Sequence, residues 1–534
     1  MTARMTDLDE RSIDVAILGG GLAGNLLARQ LRREAPSLSV ALFEKTDAHR
    51  WKVGESTVEI ASHYLAHKLG LSTYLFDAHL PKMGLRFFFD TPEKDAELTA
   101  MSEIGTDRAP PMPSFQLDRA RLEADLREMN RADGAEVLIG WTAKDVELGK
   151  GGQEHRFTVR SDEGELRRYR ARWVIDATGR ESLLARKLDL RTPEPVHHCA
   201  AIWGRYTKVK DFDAVQDDAW RRRTRHIPRT LSTNHFCYPG YWIWFIPLNR
   251  GVTSVGVVGH KDVFRPGMRK QEGFRAFLDE HRAVAGLMEG SEAHDLEGYT
   301  QLAYGVKQFF SEDRWGLVGD ASAFADPFYS PGSDFISIEC DFLTDLIKRD
   351  LVLRGTAGDA ELERRTRAYD AFMQFRWEAT MLIYRDLYST FGSYELLKAK
   401  FNFDFGCYLN LWFDPFARDL HLDLRFLESE LRKKNEVLGA LRGFARLFGR
   451  AEAHLRREGT YHRGNLGNYN VGVDVVRPML EELMTPRKKH LVDKRTEEIF
   501  NYGRDEALKL LGETDVHAPG PLKLYQFADP ATLG

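Results

Sequence analysis

Cysteine is scarce. The 534 residues hold four, Cys199, Cys237, Cys340 and Cys407, far apart and with no C-x-x-C pair or histidine in ligand spacing. That excludes a disulfide framework and gives no zinc site, so the thiols read as those of a reducing compartment. Long apolar runs are also missing. No stretch approaches the roughly 18 apolar residues that a spanning helix needs, and the opening MTARMTDLDERSID is polar and mixed in charge. No membrane span, no signal peptide and a cytoplasmic location are therefore expected. Neither sign of charge dominates. Lys plus Arg is 76 against 80 Asp plus Glu, a formal net charge of -4, which disfavours nucleic acid as a partner. Internal repeats and low-complexity tracts are absent, and 43% hydrophobic with 29% charged residues is ordinary for a soluble globular chain. The length suggests about two to four domains' worth of packed structure.

The chain opens on a short β-branched run, Asp14-Val15-Ala16-Ile17-Leu18. A glycine cluster follows, then the helical pattern LLARQLRRE and a second strand-like run ending at Glu44. This is a β-α-β unit. Gly19, Gly21 and Gly24 give the G-x-G-x-x-G spacing at its turn. The first glycine permits a tight turn and the second lets backbone approach a pyrophosphate. The third lets helix pack on strand. Glu44 stands 20 residues after Gly24, where a carboxylate accepts from ribose hydroxyls. Such a glycine turn alone is weak, but strand, helix and carboxylate are all in place. Further strands are expected at 136–140, 172–177 and 315–318. A hairpin is expected from 242–248 and 252–259 around Asn249-Arg250-Gly251. Segments 335–353, 360–388 and 424–457 carry apolar residues at three and four spacing, so the last third reads as helical. The arginine-rich stretch 220–229 reads as a solvated loop.

Two later strand ends add to the glycine turn: Trp173-Val174-Ile175-Asp176-Ala177-Thr178-Gly179 and Gly316-Leu317-Val318-Gly319-Asp320-Ala321. The three motifs in this order resemble the FAD-dependent monooxygenase superfamily. That resemblance implies FAD, with Asp320 on the ribityl chain, although Asp320 also suits a helix N-cap. Phe115-Gln116-Leu117-Asp118-Arg119 resembles the segment whose arginine, here Arg119, contacts the flavin.

Four motifs narrow the resemblance to the flavin-dependent halogenases. Trp242, Trp244 and Ile246 form W-x-W-x-I-P, whose strand spacing puts both indoles on one face. In the family these residues screen the flavin from the acceptor, while the bland alternative is a core aromatic pair. Lys82, in Pro81-Lys82-Met83-Gly84-Leu85-Arg86-Phe87, matches the family's essential lysine. Among Leu85, Phe87 and Phe89 its ammonium would lose solvation and its pKa would fall, unless it merely snorkels from a strand end. Gly54, Glu55 and Ser56 match a flavin-contacting turn, and Asp326 to Gly332 matches the D-P-x-x-S-x-G strip beside the ring. There Pro327, Gly332 and Ser333 would lie on the cofactor. Tyr329 stands where tryptophan-type enzymes carry a glutamate, which points to the phenol or pyrrole branch. Pro331 has no N–H, so a halide would use the amides of Gly332 and Ser333.

The resemblance, covering residues 13–353, implies an α/β fold. A Rossmann-like FAD domain, 1–360, would have an interleaved substrate-side sheet at about 80–115 and 195–305. A helical region, 361–534, would shape the acceptor pocket. It also implies an oxidoreductase of secondary metabolite biosynthesis using FAD and chloride or bromide. Reduced FAD would come from a separate reductase, since no second nucleotide turn is visible, and the acceptor would be free or held on an acyl carrier protein. An aromatic hydroxylase and a silent flavin-binding module are the alternatives, and no metal is expected.

Overall fold

The computed structural model describes residues 10–47, 50–224, 226–352, 358–477, 480, 489–513, 520–529 and 532–533. The polar segment 1–9 and Arg225 lie outside these described residues.

β1 (Glu10–Leu18) runs from an exposed start into a fully buried end, because its charged residues come first and Val15 to Leu18 last. α1 (Leu22–Glu34) returns across the sheet and buries Leu22, Leu26, Leu27 and Leu31 at helical spacing. β2 (Val40–Glu44) then pairs parallel to β1, Val15 beside Val40. This places β1 in the middle of the first sheet.

The second sheet begins after β3 (Leu80–Lys82), which pairs only with Ser114–Gln116. Its members include β4 (Leu85–Phe89) and β5 (Ser102–Gly105). The chain then re-enters the first sheet with β6 (Glu136–Ile139) and β7 (Leu166–Asp176). It crosses back for β8 (Cys199–Thr207), β9 (Thr233–Tyr238), β10 (Tyr241–Pro247) and β11 (Val252–His260). Finally β12 (Trp315–Leu317) adds to β7. Within the first, eight-stranded sheet the parallel strands run β12-β7-β1-β2-β6, so the turns after β1, β2, β7 and β12 open along one edge, and antiparallel strands flank them. The second reads β8-β11-β10-β9-β4-β5. The fold is therefore α/β, with the interleaved second sheet and helical last third that the sequence implied.

The hairpin forms as expected between β10 and β11, with Arg250 and Gly251 at φ 61° and 71° in its turn. Along β10 the alternation separates two cores: Trp242, Trp244 and Ile246 join one cluster, Ile243 and Phe245 another.

The helical segments differ from the periodic runs at their ends. α2 (Gly332–Ile347) starts at Gly332 and passes into a widened turn, Lys348–Val352. α3 (Asp359–Met381) stops short of Tyr388, and α4 (Tyr394–Cys407) follows. Residues 424–457 divide at Lys433 into Leu424–Arg432 and α5 (Lys434–Arg457), against which α6 (Lys489–Leu511) packs. Among the described residues no helix is long and apolar enough to cross a membrane.

The arginine-rich stretch departs from its solvated reading. Trp220 and Arg229 are buried, with the Arg229 guanidinium 3.5 Å above the indole. Its Nε and Nη2 donate to Glu103 at 3.0 and 2.8 Å, and Arg86 Nη1 donates to the same carboxylate at 2.6 Å. A buried glutamate needs such cations, and Arg229 supplies one; among the described residues of the stretch, Arg221, Arg222, His226 and Pro228 keep the exposed character expected.

Candidate active site

The glycine turn after β1 is shaped by backbone contacts. Gly19 has φ 112°, and a Cβ there would lie 2.2 Å from the Ala177 carbonyl oxygen. A Cβ on Gly24 would lie 2.0 Å from the Gly19 carbonyl oxygen, so this glycine lets α1 close on the turn. Gly21 is different. A Cβ there would meet nothing within 4 Å, because the position faces open cavity. Glu44 braces the turn, accepting from the Gly20 N–H at 2.7 Å and the Thr46 N–H at 3.0 Å.

The open edge of the first sheet faces a cavity of about 890 Å³ lined by Gly19, Gly21, Glu44 and Asp320. Asp320 lies inside a turn, Gly319–Ala321, rather than at a helix N-cap. Burial pushes its carboxyl up, against Arg180, Arg119 and Arg191, which favour the charged form. Gly54, Glu55, Ser56 and Arg119 line the same space. Arg119 Nη1 donates to the Val53 and Gly54 carbonyls at 3.0 and 3.3 Å, and Nη2 to Glu123 at 2.6 Å. Pro327, Gly332 and Ser333 complete the wall at the N-terminus of α2, whose first amides have no carbonyl of their own helix to bond.

This cavity fits FAD on features of the chain itself. Its volume lies within the range of about 300–1,000 Å³ usual for ligand sites. Glu55 Oε2 and Ser333 Oγ are buried with no hydrogen-bond partner, and open space faces Gly21 where a side chain would stand. Of the expected cofactor residues only Gly24 stands behind the surface, packing helix on turn.

Trp242, Trp244 and Ile246 also line this cavity. The indoles lie 5.6 Å apart between ring centres. Their N–H groups are fixed: Trp242 Nε1 donates to the Tyr388 hydroxyl and Trp244 Nε1 to Ser254 Oγ, both at 3.1 Å. They are both core residues and cavity lining.

A second, smaller cavity of about 330 Å³ adjoins through Pro331, which lines both. Lys82 lines the smaller one and is 1% exposed. Its Nζ donates to Ser56 Oγ at 2.8 Å and the Thr57 carbonyl at 2.7 Å, so it reaches the wall between the cavities. Burial lowers its pKa to about 8, opposed by the charges of Glu59 and Asp334. The desolvation expected from Leu85, Phe87 and Phe89 is found, but Lys82 sits on β3, before those residues, and Gly84 (φ 128°) separates it from β4. Tyr329 lines the same cavity and donates to Asp404 Oδ2 at 3.0 Å, while burial and that carboxylate raise its own pKa.

The sequence reading missed Asp334, Arg376 and Asp404, all buried on this cavity. The available signal was a charge inside an apolar helical pattern: Arg376 between Phe375 and Trp377, Asp404 between Phe403 and Phe405. The cysteine reading needs correction as well. Cys199 Sγ lies 3.9 Å from His197 Nδ1, and with Asp326 they form a buried cluster whose ligand-capable atoms fall within 4.8 Å. The sequence hides this because Asp326 arrives from a distant loop. The carboxylate is already bonded, at 2.7 Å to His197 Nε2 and 2.6 Å to the Tyr388 hydroxyl.

A family model described as an FAD binding domain matches residues 12–235. Flavin-dependent halogenase chlA of Dictyostelium discoideum is 29% identical over 481 residues, 80% of this chain and 76% of its own. A 1H-pyrrole-2-carbonyl-[peptidyl-carrier protein] chlorinase of Pseudomonas fluorescens is 28% identical, covering 61% of this chain and 73% of the relative. The crystal structure of halogenase PltM superposes with a TM-score of 0.68 at 18% identity, covering 90% of this chain and 99% of that one. The chain is thus similar to flavin-dependent halogenases, and its residues 12–235 match an FAD binding domain.

Proposed function

We propose that the protein is a two-component halogenase. Working in the cytoplasm, it would take reduced FAD from a separate flavin reductase and halogenate an electron-rich aromatic ring, a phenol or pyrrole, free or carrier-bound. The observation that carries this reading is the position of Lys82: buried, neutralisable near pH 8, and set between a dinucleotide-sized cavity and a smaller apolar one.

Gly19, Gly21 and Gly24 would admit the pyrophosphate, and Glu44 the ribose. Asp320, Arg119 and the turn Gly54-Glu55-Ser56 would hold the remainder of FAD, with Pro327, Gly332 and Ser333 against the ring. Reduced FAD, when bound, supplies the electrons that let dioxygen convert a halide into hypohalous acid. The Gly332 and Ser333 amides, at the positive end of α2, are suited to the halide. Trp242, Trp244 and Ile246 close the face toward the second sheet and keep a ring from reaching the flavin directly. Hypohalous acid leaving for the smaller cavity would meet Lys82, which is bonded to Ser56 of the larger cavity's wall. There the amine either positions hypohalous acid or takes its halogen as a haloamine, with Tyr329 across the cavity. Enclosure is needed because free hypohalite oxidises Cys and Met side chains unselectively.

The test supplies purified protein with FAD, a generic reductase, NADH and bromide. A mixed phenol, indole and pyrrole panel is then read by mass spectrometry. Brominated product is expected. Addition of oxygen would overturn the reading in favour of a hydroxylase, and flavin reoxidation without product would leave a silent module.

A further inference from the structure

The smaller cavity holds a charged pair that the steps above do not use. Asp334 lies in the first turn of α2 and Arg376 in the body of α3, and both side chains are buried. Arg376 Nη2 stands 3.6 Å from Asp334 Oδ2, longer than the roughly 2.7–2.9 Å of a charge-assisted hydrogen bond. Asp334 Oδ1 accepts from the Ala61 N–H at 2.9 Å, but Oδ2 has no partner. Arg376 Nε and Nη1 have none either, and the guanidinium is held against the Phe335 and Trp412 rings, 5.3 and 5.2 Å from their centres. Buried charges with unmade bonds are expensive, and such groups in a cavity mark what a ligand must bring. A group completing this pair would both donate a proton and accept one.

We propose that Asp334 and Arg376 bind the hydroxyl of the acceptor, and that the acceptor is therefore a phenol. This rests on the halogenase reading above. The phenol O–H would point to Asp334 Oδ2 while its oxygen accepts from Arg376. A pyrrole fits poorly: its N–H can donate, but its nitrogen has no free pair for the guanidinium.

The chemistry follows from the geometry. The O–H proton passes to Asp334, the bonding pair stays on oxygen, and Arg376 stabilises the phenolate. The ring carbon then attacks the halogen of hypohalous acid, forming C–X as X–O breaks. The displaced hydroxide takes the ring C–H proton and leaves as water, and the phenolic oxygen recovers its proton from Asp334. Burial supports this role by raising the Asp334 carboxyl to about 7, with Glu59 adding to the rise. Arg376, the Ala61 amide and the Tyr408 hydroxyl oppose it, and Lys82 faces the same carboxyl across the cavity.

The test uses FAD-loaded protein without reductase, so that nothing turns over. Binding of 4-nitrophenol, its methyl ether 4-nitroanisole and pyrrole is measured by calorimetry, and the ionisation of bound nitrophenol by absorbance. Wild type should bind the phenol at least about tenfold more tightly than the ether, a difference of about 1.4 kcal/mol. Arg376→Gln should erase that preference. Asp334→Asn removes a like charge from beside the phenolate and should lower the pH at which bound nitrophenol ionises, leaving FAD and ether affinity unchanged. Arg376→Lys, which keeps the charge, should shift the ionisation if Gln is too destabilising. Equal affinity for phenol and ether in wild type, or variants that keep the preference, would overturn the proposal. Bromination of pyrrole by a protein indifferent to the hydroxyl would keep the halogenase reading and remove this one. A phenol preference without halogenated product would do the reverse.

Discussion

An ammonium taken out of water loses several kcal/mol of solvation, and the chain carries that cost at Lys82 with only a hydroxyl and a carbonyl as direct partners. A purely structural lysine would be placed against a carboxylate. Below pH about 8 the side chain is mostly the cation, and above it mostly the amine. If the amine carries the halogen, product per flavin turnover should rise with pH and level off near that value. Lys82→Ala should leave folding, FAD binding and flavin reoxidation nearly intact while removing halogenated product. Lys82→Arg should fail almost as completely, since a guanidinium stays protonated. Regioselective product from Lys82→Ala, measured with hypohalite trapping in the buffer, would take the lysine out of the mechanism. The glycines permit a second comparison. Gly21→Val adds a side chain to open cavity, so the variant should fold and bind FAD at least about tenfold more weakly, about 1.4 kcal/mol. Gly24→Ala would drive a methyl into the Gly19 carbonyl and should instead lower the melting temperature. Both are read by thermal melting and flavin titration, and wild-type affinity in Gly21→Val would refute the turn's assignment.

Elements differ in how openly their sequence declares them. β1, α1 and β2 follow one another within the chain, and the hairpin of β10 and β11 carries its own turn, so local patterns sufficed. β3 was not legible: its three residues pair with a strand 32 positions on, Lys82 beside Ser114. The arginine stretch misled for a related reason, because the carboxylate that buries Arg229 comes from β5. That network makes its own prediction. Burial alone would raise Glu103, but Arg86 and Arg229 hold it below its ordinary value. Its contribution to stability is therefore complete above the usual glutamate pKa, and is lost as pH falls through the lowered one. Glu103→Gln leaves two buried guanidinium groups short of a charge and should cost about 3–5 kcal/mol. Urea unfolding should show that loss, with the acid limb of stability shallower than in wild type. The two indoles of β10 belong at this scale too. Trp242→Phe keeps most of the ring volume and removes the bond to Tyr388, at about 1 kcal/mol. Trp242→Ala should cost about 3–5 kcal/mol. If the indole screens the flavin, the phenylalanine variant, still folded, should shift some product from halogenated to oxygenated.

Across the whole molecule one apolar core runs from β1 and α1 through α2 and α3 to α5 and α6. The smaller cavity draws on both ends of the chain, with Lys82 and Ser114 on one side and Arg376, Asp404 and Leu441 on the other. Such a pocket is invisible to local patterning, since none of these residues is near another in sequence. We propose that residues 361–534 help shape the acceptor pocket, as the family resemblance implied. The larger cavity leads to the last prediction. We propose that it takes a single dinucleotide, since the sequence shows one glycine turn of that type, and that NADPH does not bind beside FAD. Ligand binding to the folded state alone stabilises it, by about 2.7 kcal/mol at a concentration a hundred times Kd. Added FAD should therefore raise the melting temperature, and NADPH should not. Mixed anaerobically with NADPH, the FAD-loaded protein should keep its oxidised flavin absorbance until a reductase is added. Rapid bleaching by NADPH alone would mean that the chain reduces its own flavin, and the two-component assignment would give way to a one-component hydroxylase.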